Sequence, residues 1–529
     1  MKGGILLSDE DIRHFICDGF VQLQSELDDA IHRRIDERIR WAYENEFHMG
    51  NNILARVPEL HDVIESPRIH GALTSILGPD YLLYPHRAIH TSTPIARPEV
   101  EYAPDVDMPE MGEGSLAGSG WHQDAQSPLA RPRYHVPRYV IVFYFPHDTT
   151  INMGPTRFQA GSNLYNEPGT PSAVVLPEFV PAGSVFLLHF DLVHSGFPNY
   201  SDHARYMVKF NFARTTHPDN PSWSNEKVAW QEPQQRVNPN HLPNTWSYLW
   251  HWMRGDETQM RELSPVVNTG SNQPSRLEAI YAARDIPALA DTICARAGLG
   301  LHERILAKNA NGDTIPTDIL SEKSRQRLHS SERRWNERAI VMEDAAYSLA
   351  ALGEASVPTL TDLVADEDPW VAINACFALG QIGPTAHAAM PAITELLDHP
   401  LQQVVRQALD ALGGIGVGLN LALPNIKHLV TTSNPAWQAP EVVRGWTGED
   451  GVRLNAVLAL LNAATHDSND LAAIENIFVC TLDDTNGYVA AIACEGLSRI
   501  GSREALMATV GYLKRRRWDD SLAAGQRIF

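Results

Sequence analysis

Two histidines and one aspartate have the residue types and spacing best suited to chemistry. His122 and Asp124 are separated by one residue, and His194 follows much later in the chain. In a β-strand side chains alternate between faces, so His122 and Asp124 would point the same way. Two histidines and one carboxylate on one face of a metal leave three coordination positions open, which suits non-haem Fe(II). These residues therefore predict an iron site, although a His-x-Asp pair alone is weak evidence.

The surroundings of His194 strengthen this prediction. Residues 183–196 indicate a strand that runs into a turn, and Arg205 follows shortly after His194. Residues 198–202 are rich in turn formers, so we expect a hairpin that returns Arg205 alongside the metal. A guanidinium group can bind a carboxylate through two parallel hydrogen bonds, which suits the distal carboxylate of 2-oxoglutarate.

With these residues in place, a family resemblance becomes visible. The His-Gln-Asp segment, residues 152–156 and 160–162, the distal His and Arg, and the opening residues 7–21 resemble the phytanoyl-CoA dioxygenase family of Fe(II)/2-oxoglutarate oxygenases. The resemblance covers roughly residues 5–215. It implies a double-stranded β-helix, or jelly-roll, domain in which Fe(II) and the co-substrates 2-oxoglutarate and O2 are held by this set of residues: His122, Asp124 and His194 as metal ligands, Arg205 as the 2-oxoglutarate anchor, and Gln123 and Thr156 as further cofactor contacts.

Two departures from the family pattern concern the substrate rather than the metal. Asn163 stands where the family usually has histidine, and Met153 stands where it usually has asparagine. The resemblance implies oxidation of an unactivated C–H bond, with hydroxylation as the default outcome. Halogenation is not expected, because related chlorinating enzymes lack a carboxylate at the position of Asp124.

Several neighbouring residues allow two interpretations. Residues 98–130 contain no Lys or Arg and many Pro and Gly, which indicates a surface loop or a lid over the iron site. A local basic cluster follows the metal motif and could be solvated or could bind a substrate carboxylate; its members are Arg131, Arg133, His135 and Arg138. His135, His147 and His189 are further candidate ligands, but His189 lies five residues before His194 and would face the opposite side of a regular strand.

Beyond the resemblance, the chain changes character. Five of its 12 tryptophans lie in residues 223–252, which favours a packed segment over an aromatic substrate wall. Pro358, Pro391 and Pro424 are evenly spaced and accompany repeated Ala-Leu-Gly phrases, which resemble HEAT-like repeats. Residues 417–485 are less regular and suggest one repeat with an insertion. We predict an oxygenase domain at 1–216, a Trp-rich helical connection at 217–335 and an α-solenoid at 336–529, with each half able to fold alone.

Composition limits the partners. The net charge of −21 disfavours nucleic acid, and the five cysteines are scattered without a Cys-x-x-Cys pair. No apolar run approaches the roughly 18 residues of a membrane span, so we expect a cytoplasmic protein without membrane contact. The leading hypothesis is a hydroxylase of a small-molecule metabolite in a biosynthetic pathway. Its alternatives are a protein-directed hydroxylase that uses the solenoid as a receptor for a protein partner, and a non-catalytic protein that binds metal and 2-oxoglutarate.

Overall fold

A computed structural model describes most of the chain. The described residues are 3–46, 50–97, 121–124, 132–165, 172–256, 272–298, 306–308, 314–316, 341–438, 447–466 and 470–515. Within them, no helix is both long and apolar enough to cross a membrane.

In the described part of the N-terminal region, helices surround the first strands of the oxygenase domain. Ser8 caps the first of them through a reciprocal pair of hydrogen bonds with Asp11, as the Ser-Asp-Glu-Asp run at its start favours. The helices are α1 (Asp9–Asp18), α2 (Asp29–Asn45), α3 (Ile53–Arg56), α4 (Leu60–Ile64) and α5 (Pro67–Leu77).

Facing sheets of antiparallel strands hold the site. The strands of this domain are β1 (Phe20–Gln24), β2 (Leu82–Ser92), β3 (Tyr139–Tyr144), β4 (Thr149–Thr150), β5 (Thr156–Gln159), β6 (Val174–Val175), β7 (Phe179–Val180), β8 (Ser184–His189), β9 (His194–Gly196) and β10 (Arg205–Ala213). The larger sheet has the order β1-β8-β3-β10-β2, and its pairings are antiparallel. The smaller sheet has the order β6-β5-β9, and β4 pairs with β7 beside it. A separate pair joins β11 (Leu306–Lys308) to β12 (Thr314–Pro316).

Alternation along the strands separates an inner face from an outer face. Ile141, Phe143 and Met207 belong to an inner apolar cluster between the sheets, whereas Val140, Val208 and their equivalents belong to the outer core. The inner face of β10 therefore carries residues 205, 207, 209 and 211, which is the face that meets the smaller sheet.

The expected hairpin between β9 and β10 is wrong. β9 pairs with β5 in the smaller sheet, whereas β10 pairs with β2 and β3 in the larger one. The turn residues at 198–202 thus carry the chain from one sheet to the other. Arg205 reaches the interior because the two sheets face each other, and not because it lies beside His194 on a hairpin.

The Trp-rich segment is packed, as the sequence favours. It leads into α6 (Pro243–Arg254), followed by α7 (Gln273–Ala282) and α8 (Ile286–Cys294). Trp246, Trp250 and Trp252 are fully buried in the outer core. The indole of Trp223 donates to Asp9 at 2.7 Å, which ties this segment to α1.

Paired helices form the solenoid in the described residues beyond 340. Pro358, Pro391 and Pro424 each lie in the first turn of a second helix, where the missing N–H costs nothing. The helices are α9 (Asp344–Ala351), α10 (Val357–Val364), α11 (Pro369–Ile382), α12 (Met390–Glu395), α13 (Gln402–Ile415), α14 (Leu423–Thr431), α15 (Gly448–His466), α16 (Leu471–Thr481), α17 (Gly487–Ile500) and α18 (Arg503–Arg515). The range 417–485 therefore holds the second helix of one pair and a complete further pair, rather than a single repeat with an insertion.

The expectation that solenoid and barrel bury separate cores is also wrong. The outer apolar core continues without interruption from the larger sheet into the solenoid helices. Tyr134 donates to the Asp410 carboxylate, and Arg138 donates to the Gly380 carbonyl at 2.5 Å. Apolar side chains on the outer face of the sheet thus find their burial against the solenoid, which makes the two halves one packed body.

Candidate metal centre

The two histidines of the predicted iron site face each other across a short backbone bridge. His122 and His194 exchange both of their backbone N–H···O=C hydrogen bonds, at 3.1 and 3.0 Å. Their ring centroids are 4.5 Å apart. The bridge therefore places side chains from two segments that are distant in sequence on the same side of the backbone.

Asp124 completes the cluster, because it shares a face with His122. One side-chain donor atom from each of His122, Asp124 and His194 lies within 4.8 Å of the others. The Asp124 Oδ2 atom is 3.9 Å from the Nε2 atom of His194. Two nitrogen donors and one carboxylate this close together fit a 2-His-1-carboxylate site for Fe(II).

His194 is in the protonation state that a metal ligand needs. Its Nδ1 atom lies 2.9 Å from the Leu192 carbonyl oxygen, which can only accept, so Nδ1 carries the hydrogen and Nε2 keeps its lone pair. Burial, followed by the neighbouring charge of His122, lowers the pKa of His194 to about 3. The ring is therefore neutral near pH 7, with Nε2 facing Asp124.

A lysine that the sequence analysis missed contacts the metal-binding carboxylate. Lys209 is buried on the inner face of β10, and its ammonium group contacts Asp124 Oδ2. Burial would raise the pKa of Asp124, but the charges of Lys209 and the two histidines lower it well below its usual range. Strand alternation was the available signal, because residues 205 and 209 share a face of any regular strand.

Arg205 lies on the same inner face and is nearly inaccessible to solvent. Its Nη2 atom donates to the Gly154 carbonyl at 2.8 Å, and Nη1 lies 3.4 Å from the His90 carbonyl. Its Nε atom has no hydrogen-bond partner, and no carboxylate pairs with the guanidinium group among the residues that the structure describes. Burial lowers the pKa of Arg205 to about 10, so the group stays cationic at pH 7. A buried cation without a counterion is suited to an anionic ligand.

The Gly-Pro-Thr motif supports this arrangement through its backbone. Gly154 has a φ of +68°, and a Cβ atom there would lie 2.2 Å from the Phe197 carbonyl oxygen. Only glycine therefore allows the close approach that offers the Gly154 carbonyl to Arg205. Thr156 pairs with Gly196 and shares the inner face of β5 with Phe158, which lies opposite His194.

Gln123 is not brought to the cluster. It alternates away from its two neighbours, and its Nε2 atom donates to the Tyr165 and Ser162 carbonyls at 3.0 and 3.2 Å. The predicted contact of Gln123 with a cofactor therefore finds no support, because its amide group anchors the backbone of residues 162–165 instead.

The other candidate ligands also serve the structure. His189 Nε2 lies 3.3 Å from the Val136 carbonyl, and His147 Nε2 accepts from the Tyr206 amide at 3.1 Å. Arg133 forms a buried ion pair with Asp191 at 2.5 Å, and His135 stacks on Tyr347 of the solenoid at 4.2 Å. The basic cluster thus belongs to the interface with the solenoid. Residue 131 and the proposed lid at 98–120 and 125–130 lie outside the described residues.

Comparison with known families agrees with this site. Residues 17–207 match the family model described as phytanoyl-CoA dioxygenase. Residues 326–438 match HEAT repeats. A comparison with curated proteins gives no match. The first family match spans the metal cluster and Arg205, and its members use Fe(II) and 2-oxoglutarate.

Solved structures with similarity to the chain include three oxygenases. A non-heme monooxygenase, ThoJ, in complex with nickel is 19% identical, covers 43% of this chain and 90% of its own, and has a TM-score of 0.28. The alpha-ketoglutarate-dependent carbocyclase SnoK from nogalamycin biosynthesis is 18% identical, with 40% and 88% covered and a TM-score of 0.31. AviO1 from Streptomyces viridochromogenes is 16% identical, with 40% and 96% covered and a TM-score of 0.29. The family match, and not these likenesses, carries the assignment.

Proposed function

With residues 17–207 forming a phytanoyl-CoA dioxygenase domain, we propose that this Fe(II)- and 2-oxoglutarate-dependent oxygenase hydroxylates, or otherwise oxidises, an unactivated C–H bond of a small-molecule metabolite. One observation carries the proposal. The His122, Asp124 and His194 donor atoms lie together on the same interior as Arg205, a buried cation with no carboxylate partner among the described residues.

Each residue has a separate task. His122, Asp124 and His194 would hold Fe(II), and Arg205 would bind the distal carboxylate of 2-oxoglutarate. When bound, the metal supplies the redox chemistry that couples 2-oxoglutarate decarboxylation to substrate oxidation. The inner apolar cluster, which includes Phe143 at 5.4 Å from His194, excludes water and holds the substrate near the metal.

The competing functions have less support. A receptor for a protein substrate needs a free solenoid surface, but a face of this solenoid is packed against the barrel through Tyr134 and Arg138. A protein that binds metal without turnover would more often lose the carboxylate or the arginine, and both are present here. Hydroxylation, desaturation, epoxidation and cyclisation would use the same ligands, so the product decides among them.

The test measures conversion of 2-oxoglutarate to succinate by the purified full chain with Fe(II), O2 and ascorbate. We expect slow turnover without substrate, and its loss in Asp124→Ala because one metal ligand is gone. Asp202→Ala is the matched control, since its carboxylate is 87% exposed in a surface turn. Unchanged succinate formation in Asp124→Ala would refute the metal assignment. Untargeted mass spectrometry of metabolite extracts, searched for a gain of one oxygen, would identify the substrate.

A further inference from the structure

Lys209 occupies the centre of the inner face of β10. Arg205 lies four residues before it and Asn211 two residues after it, so their Cα atoms are about 13 and 7 Å away along the strand. The Lys209 side chain is only 5% exposed. Asp124 is its one ionic partner among the described residues. The strand thus presents the proposed 2-oxoglutarate anchor on one side of the lysine and an amide group on the other.

The charge of the site is not balanced once a metal takes Asp124. Fe(II) brings two positive charges, and Lys209 and Arg205 bring one each. Asp124 removes one charge and 2-oxoglutarate removes two. One positive charge remains in a site that is largely closed to water, and an unpaired buried charge is costly. Lys209 then has to share its carboxylate partner with a divalent cation that repels the ammonium group.

Two further polar groups share this inner face. Asn211 is 1% exposed, and neither its Oδ1 nor its Nδ2 atom has a hydrogen-bond partner among the described residues. His90 shares the inner face of β2, because it pairs with Met207 across the sheet. Burial and the charge of Lys209 lower the pKa of His90 well below its usual value, so its ring is a neutral hydrogen-bonding group. Buried polar groups are normally satisfied, and a polar ligand would satisfy the Asn211 amide.

We propose that Lys209 is a specificity-determining residue that binds a carboxylate group of the substrate, with Asn211 donating a second hydrogen bond. This inference rests on the proposed function and adds to it a substrate class, a carboxylic acid. In the absence of metal, Asp124 takes the place of the substrate carboxylate on the ammonium group. When the metal binds Asp124, Lys209 turns to the substrate, which supplies the missing negative charge.

The test compares carboxylates with their uncharged amides. Full-length protein saturated with Mn(II) and 2-oxoglutarate is titrated with acetate, phenylacetate and benzoate, and with acetamide, phenylacetamide and benzamide. Paramagnetic relaxation of the probe protons by Mn(II) reports binding near the metal. We expect at least one acid to bind about tenfold or more tightly than its amide, because a charge-assisted hydrogen bond contributes that much. In Lys209→Met this preference should fall to about one.

Matched variants separate charge from packing. Lys209→Arg should retain the preference, Asn211→Ser should reduce it severalfold, and Lys227→Met, at an exposed lysine, should leave it unchanged. The proposal is overturned if no acid is preferred by the unaltered protein, or if the preference survives in Lys209→Met. Should Lys209→Met not fold, as judged by thermal unfolding, Lys209→Gln and Asn211→Ser decide the outcome. Succinate formation by the unaltered protein is measured in parallel, so failure of the proposed function is recognised separately.

Discussion

Replacing Arg205 by methionine tests the position of the 2-oxoglutarate anchor, because it removes the charge and keeps most of the side-chain volume. Arg205 is 4% exposed and is held by the Gly154 carbonyl at 2.8 Å, so its guanidinium group is oriented before any ligand arrives. A charge-assisted pair with a carboxylate contributes about 1.5–3 kcal/mol. The dissociation constant for 2-oxoglutarate should therefore rise about ten- to a hundredfold.

Isothermal titration of 2-oxoglutarate into Mn(II)-loaded protein measures this change without turnover. Mn(II) affinity should be retained, since Arg205 is not among the proposed ligands. Arg214→Met is the control, because Arg214 is also buried but follows the end of β10, donates to the Ile76 carbonyl at 2.6 Å and lies 5.2 Å from Trp252. The reasoning fails if Arg205→Met binds 2-oxoglutarate as tightly as the unaltered protein, or if Arg214→Met weakens binding equally.

Three further predictions concern halide, pH and packing. With Asp124 present, chloride should not enter the product, and mass spectrometry that finds a chlorinated product would contradict the role of this carboxylate. Burial, with the neighbouring His189, lowers the pKa of His135 to about 3, so unfolded chains take up a proton below pH about 6.5 that the folded protein refuses; the free energy of unfolding should fall as pH falls, with His135→Phe losing about 2 kcal/mol less between pH 7 and 5 in urea titrations. A Cβ atom at Gly414 would lie 2.4 Å from a carbonyl oxygen of the neighbouring helix, whereas none would be met at Gly487; Gly414→Ala should therefore lower stability by about 1–3 kcal/mol and Gly487→Ala should not.

The contact between barrel and solenoid gives a last expectation. A chain truncated at residue 335 would expose the outer face of the larger sheet, which the solenoid helices now cover. We expect it to aggregate, as judged by size-exclusion chromatography. A soluble, monodisperse truncated chain with full succinate formation would show that the two halves fold independently after all.

Local patterns in the sequence were sufficient for much of the fold. The regular spacing of three prolines identified the solenoid, because proline is tolerated in the first turn of a helix. Gly353, Gly383, Gly416 and Gly501 have positive φ angles between 62° and 78°, as the repeated Ala-Leu-Gly phrases indicate. The one-residue spacing of His122 and Asp124 likewise fixed their common face. Such features depend on neighbours a few residues apart, which the sequence displays directly.

Tertiary structure decided what depends on distant segments. Whether β9 and β10 form a hairpin follows from which sheet each joins, and turn residues alone do not specify that. Whether the basic cluster binds substrate or solenoid follows from the position of Tyr347, which is distant in sequence from Arg133 and yet donates to its carbonyl. The place of Lys209 beside Asp124 is of the same kind. Alternation gives the face of Lys209, but only the packing of β10 against the smaller sheet brings its ammonium group to the metal-binding carboxylate.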